Sequence, residues 1–411
     1  MRIALVCAEV IRESGHGRYM LELARHLATR HEVHVFSHLF QPVEGVVHRP
    51  VRAHEGINLL RLLTFWWNST RALADEPFDV VHTVGGCCAR RDVVTAQFCQ
   101  RAWGAELQAA AVREREARRA GLPVMQPLPS WRRAYHQLYW RVADRFEAPA
   151  FQGGGTRALI AVSARVKAEL EHAYGVAGER ITVVPNGVEP ADFADTQLAP
   201  LRAPTRAALG LADDAPVLLF VGDFHRKGLA WVLQAVARMQ ARTAQLIVVG
   251  RGDLAAFRAL AQRLGVAERT HFVGFQAEPR PYFAAADAFV FPTWYEPFGM
   301  VVVEALAAGL PVVTSTLAGA SDAVQDGVNG FLLPEPSDVG AIAAHLDGLC
   351  LDAPKRLAMA RAARDSVTPY AWSRIAARTE TVYDEVVQAR AARRLGLSGP
   401  DSPGTMRRPS R

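Results

Sequence analysis

An α/β architecture of two doubly wound domains facing a cleft is expected for this 411-residue chain. Short apolar runs alternate with helical patterns through both halves. A stretch rich in Pro, Asn, Gly and Asp separates the halves. Each half also begins with a strand-like run that leads through a glycine-containing turn into a helix. At roughly 100–200 residues per domain, the length suits two domains that each bury a core.

In the first half the expected strands are RIALVC (2–7), EVHVFS (32–37), DVVHTV (79–84), DVVTAQF (92–98), ALIAVS (158–163) and ITVVP (181–185). Met20, Leu23, Ala24 and Leu27 recur at helical spacing between the first two. The second half restarts with PVLLFVG (216–222), followed by AQLIVVG (244–250), HFVGF (271–275), AFVFPT (288–293), PVVTS (311–315) and GFLLP (330–334). Leu229, Val232, Leu233 and Val236 mark a helix, and another is expected near Val339–Cys350. The divisions are a Rossmann-like domain over 1–190, a linker over Pro185–Arg206, and a second Rossmann-like domain over 200–365. A final helix near 369–390 could pack back on the first domain, and 395–411 reads as a disordered basic tail.

No secretory signal is recognised at the start, and the most apolar run, Ile57–Trp67, is interrupted by Arg61. It falls short of the ~18–20 residues a spanning helix needs, so a soluble or peripheral cytoplasmic protein is expected. Five cysteines (Cys7, Cys87, Cys88, Cys99, Cys350) contain no C-x-x-C pair, which fits a reducing compartment and argues against a structural zinc site. Net charge is +6, and Arg101–Glu147 carries nine Arg against five acids together with Trp103, Trp131, Tyr135, Tyr139 and Trp140. That segment is either a solvated Arg-rich helical insertion or a surface for an anionic membrane or lipid-linked partner. No nucleic-acid-binding motif accompanies the charge, so nucleic acid is not an expected partner.

Open parallel sheets bind ligands at the carboxyl ends of their strands, so the chemistry is sought in the cleft. The stretch YEPFGMVVVEALAAGLPVV (Tyr295–Val313) has only two charges, Glu296 and Glu304. It follows a buried strand, and helical periodicity starts after Pro297. The N–H groups of Phe298, Gly299 and Met300, at the positive end of the helix dipole, would suit an anion or a ring of hydroxyls. Glu304 lies in an apolar helix, where an unpaired carboxylate is costly, and a ligand with adjacent hydroxyls could satisfy it. The plainer alternatives are a Glu296 favoured by the dipole and a Glu304 paired to a distant Arg.

FVGDFHRKGLAWVL (Phe220–Leu233) places Arg226 and Lys227 after Gly222, just before a helix. Cations oppose the dipole there, which suggests an anion between them, and two cations with helix N–H groups suit a diphosphate. Gly15 and Gly17 precede the first helix but lack the third glycine of a dinucleotide fingerprint. No Asp-x-Asp pair or His/Cys cluster of metal-ligand spacing occurs, so no metal or other cofactor is expected.

These residues resemble a known family. Glu296-x7-Glu304 is similar to the E-x7-E signature of retaining glycosyltransferases with the GT-B fold, the large family-four group. FVGDFHRKGL resembles their phosphate-binding turn, ITVVPNGVEPADF their inter-domain connection, and GASDAVQDGVNGFLLPEPSD the stretch after the signature. DFHRKGL with DVVTAQFC leans towards members that glycosylate lipopolysaccharide core or other envelope glycans.

The resemblance implies that Glu304 holds the ribose of a nucleotide sugar and that Glu296 with the Phe298, Gly299 and Met300 amides holds the sugar. It implies Arg226 and Lys227 on the diphosphate, Gly15 contributing from the first domain, and the base near Val273–Phe275. Transfer to a glycan or glycolipid acceptor would follow a front-face course without a protein nucleophile. Gln97 stands where many members carry a histidine, and His82 is nearby in the chain without an assigned role. A sugar-nucleotide epimerase or hydrolase, and a non-catalytic nucleotide-sugar-binding protein, are the alternatives.

Overall fold

A computed structural model describes residues 1–124, 129–153 and 155–395. The basic tail anticipated over 395–411 lies, beyond Leu395, outside the described residues.

Two parallel sheets form the frame. From edge to edge the first runs Val46–Pro50, Glu32–Ser37, Arg2–Val6, Val80–Val84, Val93–Ala96, Ala158–Ala161 and Ile181–Val183. The second runs Thr270–Gly274, Gln245–Arg251, Val217–Asp223, Ala288–Phe291, Val312–Ser315 and Gly330–Leu333. All of these neighbours pair in parallel. Strand order reverses beside the opening strand of each sheet, which is where doubly wound folds place their ligand crevice.

Alternation along the strands sorts side chains between two faces. Ile3 and Leu5 point into a core shared with Tyr19, Met20 and Leu23 of the first helix, whereas Ala4 and Val6 point towards Phe36, Phe65 and Phe78. Leu218 and Phe220 join one cluster of the second sheet, and Val217 and Leu219 join the other. That last cluster is continuous from Val94 and Leu159 of the first unit to Phe289, Phe298 and Val302 of the second. The two bodies therefore share buried apolar surface, the main favourable contribution to their association.

Three elements depart from the sequence expectation. Val46–Pro50 is an edge strand whose His48, Arg49 and terminal Pro50 disguise it; a proline is tolerated at an edge because no ladder hydrogen bond is lost there. The linker expected over Pro185–Arg206 is irregular only in its first part, because Asp195–Ala208 is a helix despite Pro200 and Pro204. Packing secures it. Buried Arg206 donates to the carbonyls of Ala212, Ala215 and Ala285, and Arg202 donates to those of Ala284 and Ala286. Ala353–Ser366 forms a further helix after Val339–Leu351.

The Trp372–Arg394 helix lies against the first sheet, with Trp372, Ile375 and Tyr383 in the same core as Ile3 and Tyr19. Trp372 is fixed by its N–H donating to the Val188 carbonyl at 3.1 Å and by Gly187 beneath its indole. A Cβ on Gly187 would stand 2.5 Å from that ring. Gly187→Ala is expected to cost about 1–3 kcal/mol through overpacking and to lower the melting temperature by several degrees; thermal unfolding of purified protein checks this, and an unchanged Tm contradicts it.

Candidate active site

The cleft, of about 610 Å3, opens where both sheets present their strand ends. The turn Glu296–Gly299 follows the strand Ala288–Phe291, and the helix Met300–Ala307 begins at once. Gly299 caps it at φ 93°, a left-handed conformation, and a Cβ there would meet Glu296 Cγ at 2.9 Å. Gly222 has φ 146°, and a Cβ would meet the Lys227 side chain at 2.8 Å. Both glycines let a functional side chain lie flat against backbone.

The Glu296 carboxylate pairs with Lys227 Nζ, and Lys227 is buried. Burial acts to raise the Glu296 pKa, but the Lys227 charge, its hydrogen bond and Arg226 outweigh it and hold Glu296 below the usual carboxylate range. Burial also lowers Lys227, with Glu296 acting in the opposite direction. The direction for Glu296 decides the state of the pair, because an ionised carboxylate that receives this hydrogen bond keeps the ammonium charged. Arg226 stays exposed, with its guanidinium carbon 5.9 Å from the Trp103 ring centre.

Glu304 is 2% exposed, and its Oε1 lies 2.5 Å from Nη1 of Arg18. Arg18 belongs to the first turn of the helix Gly15–Leu27, so this pair crosses from one body to the other. Glu304 chiefly raises the Arg18 pKa. Both acids of the signature thus have basic partners in the chain: Glu304 takes the plainer of its two expected readings, a pairing to a distant Arg, and Glu296 pairs with Lys227.

The first body also grips the turn directly. Ser163 Oγ donates to the Pro297 carbonyl at 2.7 Å, and Arg165 Nη1 donates to the Leu317 carbonyl at 2.8 Å. The Tyr295 hydroxyl donates to Glu169 at 3.0 Å. Phe298 packs its ring into the shared core while its carbonyl accepts from Ala320.

Of the residues singled out from sequence, Gly15, Gly222, Arg226, Lys227, Glu296, Phe298, Gly299, Met300 and Glu304 all line the cleft. Gln97 also lines it, exchanging two hydrogen bonds with Asn186 at 3.1 and 3.0 Å. Four others do not. Gly17 is buried, and a Cβ would clash with the Glu9 carbonyl at 2.7 Å, so its role is packing. Val273, in the edge strand Thr270–Gly274, and Phe275, just after it, lie outside the cleft lining, with the Val273 carbonyl accepting from Gln276 and Phe275 lying under Arg251. His82 is a core histidine between Tyr383 and Thr95, pushed down to about 3 by burial.

Arg18, His16, Asn186, Trp103, Trp140 and Tyr295 also line the cleft. Arg18 carried a readable signal: like Arg226 and Lys227, it is a cation opposing a helix dipole. The indoles come from an inserted pair of helices, Gln100–Arg119 and Ser130–Gln152. The first has no side-chain cap of its own at Cys99; Glu147 of the second accepts from the Gln100 N–H at 3.2 Å and from the Tyr174 hydroxyl at 3.1 Å. Among the described residues, no group of three or more His, Cys, Asp and Glu is placed to hold a metal ion.

Two facing Rossmann-like bodies, with the E-x7-E helix and a basic turn meeting in the cleft between them, define the GT-B class of glycosyltransferases. The solved structure of WaaG, a glycosyltransferase involved in lipopolysaccharide biosynthesis, shares this fold at TM-score 0.73 and 24% identity, covering 93% of this chain and 99% of that one. Anabaena HepE, solved with UDP and glucose, aligns at TM-score 0.64 and 19% identity over 94% of this chain and 100% of that one.

The chain belongs to the group 1, family-four glycosyltransferases. Residues 14–192 match Glycosyltransferase Family 4, and 215–352 match Glycosyl transferases group 1. A D-inositol 3-phosphate glycosyltransferase of Xylanimonas cellulosilytica is 30% identical over 92% of this chain and 93% of its own length. Lipopolysaccharide glucosyltransferase WaaG of Escherichia coli is 30% identical over 53% of this chain, a match spanning 60% of its own length. An uncharacterised glycosyltransferase of Methanocaldococcus jannaschii, 31% identical over 55% of this chain, is matched over 59% of its length.

Burial pushes Glu147 up to about 8 from 4.5. The folded state then binds an extra proton between those values, so this group's contribution to stability declines as pH rises from about 4.5 to about 8. Melting curves across this range should show a fall with pH in the wild type that Glu147→Gln lessens; parallel curves contradict the assignment.

Proposed function

We propose that this protein is a retaining, metal-independent hexosyltransferase. It moves a hexose from a nucleotide-diphosphate sugar, of the UDP-glucose or GDP-mannose type, to a glycan or glycolipid acceptor in lipopolysaccharide or envelope polysaccharide synthesis. The observation that carries this reading is the convergence of Glu304, Glu296, Lys227 and Arg226 in one cleft at the start of the helix Met300–Ala307. The relatives named for lipopolysaccharide glucosyltransfer and for binding UDP and glucose support the donor class and setting.

In this reading Glu304 accepts from the ribose hydroxyls while Arg18 holds it in place. Lys227 and Arg226 take the charge of the diphosphate as the bond from the sugar's anomeric carbon to phosphate breaks. Glu296 and the amides at the helix start hold the sugar ring. The acceptor hydroxyl forms the new bond on the face the diphosphate leaves, and its proton passes to the departing phosphate oxygen. No side chain becomes covalently attached.

Glu304→Ala should raise donor KM about 10–100-fold through loss of a charged hydrogen bond. Arg226→Ala should lower kcat roughly 10²–10³-fold through loss of charge stabilisation on the leaving group. Radiolabelled sugar transfer measures both; normal transfer and donor KM in the two variants contradict the reading.

The protein is further proposed to work at the inner face of a membrane through the inserted helix pair, which exposes Leu107, Val112, Trp131 and Leu138 among its arginines. Among the described residues, no helix is long and apolar enough to cross a membrane. Flotation with anionic liposomes should show binding at low salt that is lost at high salt; absence of salt-sensitive binding refutes this.

A further inference from the structure

The inserted helices bring two half-buried indoles to the cleft wall. Trp103 and Trp140 have ring centres 6.5 Å apart with planes tilted by 54°, and Trp103 lies 5.3 Å from Tyr295. Both indoles are half-buried, and neither N–H donates to a protein group among the described residues, which leaves both donors open to a ligand. Two aromatic faces and two available donors are therefore presented beside Arg226, at the end of the cleft where the diphosphate would leave.

The charges of the cleft separate two kinds of acceptor. Three cationic side chains line it, and two are already matched: Arg18 by Glu304 and Lys227 by Glu296. His16 is half-buried beside Phe98, and desolvation lowers its pKa against the opposing pull of Glu296. Only Arg226 remains among the described lining residues, and a bound diphosphate would engage it. A second phosphate on the acceptor would meet no free cation here and would be repelled by the first. The remaining surface is aromatic, with the Gln97–Asn186 amide pair beside it, which suits the apolar face and hydroxyl rim of a sugar ring.

We propose that the acceptor is a neutral glycan whose terminal pyranose stacks on Trp103 and Trp140. The proposal rests on the nucleotide-sugar reading above and specifies its acceptor.

The test uses the full chain saturated with whichever of UDP and GDP raises its Tm. Methyl glycosides of glucose, galactose, mannose and heptose, and D-inositol 3-phosphate, are titrated by saturation-transfer NMR. At least one neutral glycoside should bind more tightly than the inositol phosphate. Trp103→Ala and Trp140→Ala should each weaken it about ten-fold, matching loss of roughly 1.4 kcal/mol of aromatic contact. Trp103→Phe should fall closer to wild type, and nucleotide affinity should be unchanged in Trp140→Ala. Tighter binding of the inositol phosphate, no binding by any glycoside, or unaltered glycoside binding in the alanine variants overturns the proposal. Failure of both nucleotides to bind the wild type would remove the underlying donor reading, and the proposal with it.

Discussion

A carboxylate buried in an apolar helix must have a partner, and the arrangement of this cleft depends on how Glu304 obtains one. The helix Met300–Ala307 supplies no cation, so Arg18 reaches across from the first body. Removing Arg18 would leave the buried Glu304 charge uncompensated, which is strongly destabilising. The contact therefore fixes the first helix of one body relative to the signature helix of the other. Ser163, Arg165 and Glu169 reinforce it around the Glu296–Gly299 turn, and a shared apolar core lies behind. The cleft is thus an interface, built by both halves.

The same constraint gives the site its electrostatic character. Lys227 and Glu296 are packed together under Gly222 and Gly299, whose missing side chains make the approach possible. Arg226 stays outside this pairing at the mouth, with Trp103 beside it. The cleft thus presents one unmatched cation among its described lining residues, two paired carboxylates and an aromatic wall.

Much of this was legible in the sequence because parallel strands buried on both faces leave continuous apolar runs. AFVFPT, PVLLFVG and AQLIVVG announced their strands, and the turns after them located Glu296, Arg226 and Lys227. The cross-cleft partners were not legible, since pairing of Arg18 with Glu304 depends on how the two bodies meet. The Asp195–Ala208 helix was hidden by its prolines, and its stability comes from Arg202 and Arg206 meeting distant carbonyls. HFVGF reads as a strand, but strand order is not visible in the sequence, and at the sheet edge Val273 and Phe275 fall outside the cleft lining. Glu147 was counted only as one acid in a basic segment, whereas the fold makes it the buried anchor of the helix that carries Trp103.

The most direct test is a double-mutant cycle on Arg18 and Glu304, read out by titration calorimetry as affinity for whichever of UDP and GDP the wild type binds. If Arg18 acts by holding Glu304 for the nucleotide, Arg18→Ala and Glu304→Ala each weaken that nucleotide, and the double variant is no weaker than the worse single one. Full nucleotide affinity in Glu304→Ala, or losses that simply add in the double variant, would contradict the account.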